Sequence, residues 1–441
     1  MHMNPKTVRK REMKIIKWIY PIILGVGILW GFDSAQAITL GKTYDRTNYE
    51  EIQDLLIPPL LNWVKKGEFI LPTGKLEFEW KMDDAYLQAS LKNEDRYDVD
   101  KGGFLVEKKT GKKPEFYYGY PFPKIDSKDP KAAEKIMENN AALRFHWGAI
   151  SFSTRFMWIN LKGHERQVIT GDDYLYFQNR YRGPIESHDN LLQMVRSDFL
   201  EPFDLRGVVS ICWTYNDARE DTILTYIPMR RTIRRISGLP RSNSFLGSDL
   251  CSDDVHLWSG KNTSMTWKLI GQKTILVPFT SSKKIDVKEN LDGSIDKVTF
   301  TVKKGFQVQG WQGASWAPID LIWAPRPVWI IEAVPKDSSY NYGKQIFYTD
   351  QEVSINYFKE IYDKSGKYWK TVLTSYSYQV TPKGRCLIGL DDFLLAVDDK
   401  ASHATACDMI NYPGHELRID LPPDKIGPQQ FTESVLRQLS K

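Results

Sequence analysis

From Ala149 onward, apolar side chains recur at every second position. Ile150, Phe152, Thr154, Phe156 and Trp158 alternate with Ser151, Ser153, Arg155 and Met157, and Val209, Ile211, Trp213 and Tyr215 repeat the pattern. A period of two sends successive side chains to opposite faces, so these runs predict strands. The same signal predicts strands over 222–227, 232–236, 266–277, 297–302, 328–334, 345–348, 353–362 and 368–380. Asn290-Leu291-Asp292-Gly293 and Asp363-Lys364-Ser365-Gly366 read as turns between strands. Many strands in series with short connections predict an antiparallel meander and a mainly β (α+β) chain.

Ahead of Ala149 the period lengthens. Thr47-Asn48-Tyr49-Glu50 has capping-box spacing, and Ile52, Leu55 and Leu56 follow at helical intervals. Pro58-Pro59 interrupts that face, which Leu60, Leu61, Trp63 and Val64 resume. A second helix is expected over 84–96. A third starts at Asp129-Pro130, with Asp as N-cap, and stops at Asn139-Asn140. Tyr117 to Pro123 must be extended, because each proline disfavours helix in the residue before it. Residues 431–439 read as a short closing helix. The expected organisation is a helical and extended elaboration over 38–148, continuous with a β domain over 149–441.

The leading residues bear on compartment. Lys6, Arg9, Lys10, Arg11, Lys14 and Lys17 precede an apolar run from Trp18 to Phe32 and the small-residue site Ala35-Gln36-Ala37. That is the layout of a cleaved export signal over 1–37 and predicts a periplasmic protein, with association at the outer membrane also open. An uncleaved anchor is the competing reading; Pro21, the glycines and the Ala-Gln-Ala site weigh against it. Six of the 60 basic and two of the 55 acidic side chains lie in that segment, so the remainder carries 54 and 53, a net charge of +1. Nucleic-acid binding, which calls for a concentrated basic surface, loses its support. An oxidising compartment permits disulfides among Cys212, Cys251, Cys386 and Cys407. Neighbour pairing gives Cys212–Cys251 and Cys386–Cys407, one of three connectivities open to four cysteines.

Catalytic motifs are sparse. The chain has no G-x-S-x-G elbow and no Walker loop. His164-Glu165 and His415-Glu416 begin like a zinc-protease motif but lack its second histidine. His256 lies near Asp253 and Asp254, so an acid/base or metal cluster there competes with a surface loop, which is favoured because metal sites need several convergent ligands. Asp398 to Thr405 reads as a polar turn, and Lys108-Lys109 and Lys112-Lys113 as a hairpin tip about Gly111. The residues call for no cofactor and no metal.

The most informative stretch runs from Asp221 to Asp254. A strand reaches Tyr226, Pro228 ends it, and a second strand carries the arginines, with Arg231, Ile233 and Arg235 on one face and Thr232, Arg234 and Ile236 on the other. Arg230, Arg231, Arg234 and Arg235 cannot all be buried without partners, and Asp249, Asp253 and Asp254 are the natural counterions. This stretch resembles outer-membrane lipoprotein-sorting proteins of the LolA/LolB-like superfamily. More narrowly, the chain from residue 38 resembles the family called domain of unknown function 1329. Tyr120-Pro121-Phe122-Pro123, Asp204-Leu205-Arg206-Gly207, Arg326-Pro327-Val328-Trp329 and Tyr368-Trp369 are among the matching pieces, kept in order.

The resemblance implies a large, strongly curved antiparallel sheet, an open half-barrel with helices over its concave side and an apolar concavity between. It also implies carriage of lipids or other hydrophobic molecules towards the outer membrane, beside an RND-type transporter and an outer-membrane protein. Phe152, Phe156, Trp158, Ile211, Trp213, Leu224 and Tyr226 are the candidate lining; each competes with simple core filling. Burying an acyl chain is favourable by roughly 0.8 kcal/mol per methylene. No catalytic residue follows from the resemblance. The rival functions are an envelope hydrolase and a non-catalytic assembly subunit that binds through exposed strand edges.

Overall fold

A computed structural model of the chain describes residues 38–236 and 241–439. The expected export signal lies outside the described residues. Thirteen long strands carry the architecture: β1 (Ala149–Asn160), β2 (Gly163–Tyr176), β3 (Leu191–Glu201), β4 (Val209–Tyr215), β5 (Thr222–Ile227) and β6 (Thr232–Ile236), then β7 (Met265–Phe279), β8 (Ile322–Pro335), β9 (Lys344–Asp350), β10 (Asn356–Tyr362), β11 (Tyr368–Ser375), β12 (Phe393–Asp398) and β13 (His403–Ile410). All lie in one antiparallel sheet in the order β6-β5-β4-β3-β2-β1-β13-β12-β11-β10-β9-β8-β7. The chain thus builds two meanders, β1 to β6 and β7 to β13, fused where β13 pairs with β1 from His403↔Asn160 to Ile410↔Ser153. Three two-residue strands extend the sheet beside the start of β1.

The sheet is curved and open. Its β7 edge curls back: the Thr280 amide donates to the Tyr376 carbonyl at 2.9 Å, just past the end of β11, four strands away. On a flat sheet that separation is about 19 Å. Residues from Thr39 on form one compact unit.

The two meanders are covered differently. Every residue of β12, and all but the last of β10, is buried, because protein packs on both faces. On one side α3 (Ala132–Phe145) and the segment 241–264 press Ile136, Met137 and Trp258 against Trp267, Phe347, Ile361, Val372 and Leu394. On the other, Trp63 of α1 (Pro58–Lys65) donates its indole N–H to Asp399 at 2.8 Å, and Trp323 stacks on Phe358. In β5 burial alternates residue by residue, the pattern of a strand with one wet face. The inner face of β3 to β5 packs against the chain's C-terminal segment through Ile211, Leu224, Leu421, Phe431 and Leu436.

Several expectations need correction. The third helix does not stop at Asn139-Asn140 but runs on to Phe145. Both amides are buried and anchor neighbours: Asn139 accepts from the Phe122 N–H and donates to its carbonyl, and Asn140 donates to Ser354. The second helix, α2 (Asp84–Leu91), stops short of Arg96 and is capped at its start by Asp83 accepting the Tyr86 N–H. The spacing at Thr47 yields only a 3-10 turn over Tyr49–Glu51, without a side-chain cap. No strand covers 297–302. The polar turn near Asp398 is confined to 399–402, and His403 already begins β13. The turn at Asp363 forms as expected: its carboxylate accepts the Ser365 and Lys367 amides, and Gly366 takes the positive φ of 78°. All four cysteines are free thiols, so neither proposed bridge forms.

Candidate functional site

The face of β4, β5 and β6 that looks towards the C-terminal segment is set by register. Ile211 opposes Leu224, Trp213 opposes Thr222, and Arg235 and Ile233 oppose Leu224 and Tyr226. The final helix, α4 (Glu433–Leu439), lies across that face. Between them is a groove of about 370 Å³ lined by Trp213, Thr222, Leu224, Arg231, Thr232, Ile233, Arg235, Glu433 and Arg437. That volume falls within the range of roughly 300–1,000 Å³ usual for small-ligand sites. Trp213 is fixed by its indole N–H donating to the Phe431 carbonyl at 2.7 Å, and Arg235 donates to the Thr222 hydroxyl at 3.2 Å. Arg437 pairs with Glu433. The floor is thus Trp213, Leu224 and Ile233, and the rim holds three guanidinium groups against one carboxylate.

The lining predicted from sequence divides. Trp213 and Leu224 line the groove, while Ile211 and Tyr226 are buried beside it in the same apolar cluster. Phe152 is core, stacked on Tyr174 among Ile150, Trp147 and Met409. Phe156 and Trp158 pack with Val168, Phe199 and Phe245, and Arg166 lies over the Trp158 ring at 4.1 Å. The concave side of β7 to β13 is filled by α3 and 241–264. Those inward positions of β7 to β13 are core, and the groove described above lies on the other meander.

The arginine–aspartate cluster does not form as expected. Arg230, Arg231, Arg234 and Arg235 are exposed, whereas Asp253 and Asp254 are buried and matched elsewhere. Asp253 pairs with Arg241 at 2.5 Å and accepts the Tyr340 hydroxyl at 2.8 Å. Asp254 pairs with Lys359 at 2.5 Å and accepts the Tyr342 hydroxyl at 2.8 Å. Burial pushes the Asp254 carboxyl up, but the Lys359 and Lys370 ammonium groups outweigh it and hold it below its ordinary value. Asp249 accepts from His403 and the Thr405 hydroxyl, both at 2.7 Å. His256 does lie in a turn, but its side chain is largely buried rather than at the surface, and its ring pairs with Asp391. Among the described residues no group of three or more His, Cys, Asp or Glu side chains converges as metal ligands. The thiols are inert in character, and burial pushes Cys212 up to about 12.

Sequence reasoning missed a second, smaller cavity, of about 70 Å³, lined in part by Tyr117, Glu138, Arg144, Gln178, Tyr215 and Asn262. Burial pushes the Glu138 carboxyl up to about 7, against the Asn262 amide donating to it at 2.7 Å and the nearby Arg144 charge. Glu138 sits on α3 two residues from Ile136, and only tertiary packing on 241–264 gives it this environment.

A family model described as protein of unknown function (DUF1329) matches residues 43–437. No curated protein matches the chain. Three solved structures are similar in fold. A domain titled outer membrane lipoprotein-sorting, from Vibrio parahaemolyticus, is 15% identical, covers 70% of this chain and 100% of its own, and has a TM-score of 0.47. A DUF1329 family protein from Desulfovibrio piger is 16% identical over 70% of this chain and 98% of its own, with a TM-score of 0.46. A LolA superfamily protein from Nitrosomonas europaea is 14% identical over 69% and 98%, with a TM-score of 0.40.

Proposed function

The chain belongs to the DUF1329 family, and from that premise we propose that it is an exported binding and carrier protein for hydrophobic molecules bearing an anionic group. The observation that carries this reading is the groove under α4, whose floor is Trp213, Leu224 and Ile233 and whose rim is Arg231, Arg235 and Arg437. An apolar floor removes tail methylenes from water, and a rim with more guanidinium than carboxylate groups holds an anionic head in charge-assisted hydrogen bonds. Release follows displacement of α4, which is anchored by Leu436 and, through the preceding Phe431, by the Trp213 indole bond. No covalent step is involved. The layout of residues 1–37 supports export to the periplasm, and the cargo class fits handover between a membrane transporter of the RND type and an outer-membrane acceptor.

Native mass spectrometry of the protein, together with titration by a brominated fatty acid, tests this. Bromine quenches a nearby indole, so fluorescence should fall on binding, and Trp213→Phe should remove most of that fall. Absence of copurified lipid together with an unquenched wild-type signal would overturn the carrier reading.

A further inference from the structure

The β3–β4 and β5–β6 connections leave the sheet at the same end, because Asp198 pairs with Val209, Val209 with Tyr226, and Ile227 with Thr232. They also lie side by side: a Cβ placed on Gly207 would lie 3.6 Å from Cγ of Pro228. Each carries a bulky apolar side chain standing almost entirely in water, Phe203 at 85% exposure and Met229 at 89%. Singly exposed apolar residues are ordinary on protein surfaces. Two on adjoining tips, both among the most exposed large apolar side chains of the described residues, form a patch. Arg206, Arg230 and Arg231, all exposed, lie on these two connections, against Glu201 and Asp204. Arg206 donates to the Leu200 carbonyl at 3.0 Å, which holds its guanidinium beside the tip.

We propose that this tip is a docking surface for an anionic lipid bilayer, with Phe203 and Met229 entering the headgroup–acyl boundary and the arginines engaging lipid phosphates. Charge complementarity selects the occupant. An apolar pair ringed by a net positive charge matches a surface that is greasy within and anionic outside, which is how amphipathic anchors lie in an interface. Arg231 belongs to both features, so the docked tip sets the mouth of the groove against the membrane. The proposal goes beyond the carrier reading and stands without it, since docking requires no molecule in the groove.

Cosedimentation with vesicles of phosphatidylcholine alone, and of equal parts phosphatidylcholine and phosphatidylglycerol, tests it on the mature chain. The expected result is binding to the anionic vesicles only, weakening as salt is raised. Arg206→Gln with Arg230→Gln should lower the affinity by roughly fivefold per arginine, and Phe203→Ser with Met229→Ser should lower it by at least about tenfold. All four residues are exposed, so the thermal midpoints should match the wild type. Trp213→Phe, a groove variant, should dock normally, which separates failure here from failure of the carrier reading. Equal binding to both vesicle types, or full binding by the serine variant, would overturn the proposal. So would a dimer that the serine variant dissolves, which would assign the tip to a second copy of the chain.

Discussion

Lys359 and Asp254 show how the chain buries charge it cannot leave alone. Neither side chain has exposed surface, and Tyr342 and the Cys251 amide complete the hydrogen bonding of the carboxylate. Removing one partner strands the other, so Lys359→Met should cost about 3–5 kcal/mol in urea denaturation, with much of it recovered when Asp254→Leu is added. The folded-state pKa of Asp254 is lowered, so its stabilising contribution is complete above its unfolded value and fades as acid takes the folded carboxylate through its own. Glu138 behaves in the opposite sense. Its carboxyl is raised to about 7, so the folded state holds a proton that the unfolded state releases near 4.5, and this group's contribution falls as pH climbs between those values. Glu138→Gln should therefore flatten that part of the stability profile, as followed by thermal midpoints from pH 4 to 8.

At the scale of elements, the C-terminal segment is a clamp. Phe431 is fully buried against β3 to β5, and Phe431→Ala should destabilise by roughly 3–5 kcal/mol and raise binding of a hydrophobic dye as α4 loosens from the groove. How far such elements were legible depends on what covers them. Period-two alternation placed β1, β4, β5 and β6, and it put Arg231, Ile233 and Arg235 together on the face that proved to be the groove wall. It was silent on β2, β3, β12 and β13. β13 is His-Ala-Thr-Ala-Cys-Asp-Met-Ile, sealed by protein on both faces, where small and polar residues do the packing and Asp408 is matched by Lys304. The same blindness applied to Asn139 and Asn140, whose turn-forming character is overridden by two buried loop partners. Asp249 and Asp254 stand close to the arginines in sequence, yet their partners His403 and Lys359 come from far downstream, and Asp253 takes Arg241, an arginine of the same stretch that the strand pattern passed over. Only folding reveals such pairings.

Over the whole molecule, the two meanders differ in how well they are sheltered. β6 is an edge strand with exposed or half-exposed residues throughout, while β10 to β13 are enclosed from both sides. Native-state hydrogen exchange should therefore run fastest, among the long strands, at β6, and slowest through β10 to β13. The seam between β1 and β13 joins residues 153–160 to 403–410, and this sets an order of events. A strand made early waits with one row of amides unmatched until nearly all the remaining chain has arrived. Loop-closure entropy across so long an interval makes its completion slow. A polypeptide threaded through a narrow pore, N-terminus first, cannot lock this seam on the far side until residue 410 has emerged. The two halves of the sheet therefore join only at the end of the passage.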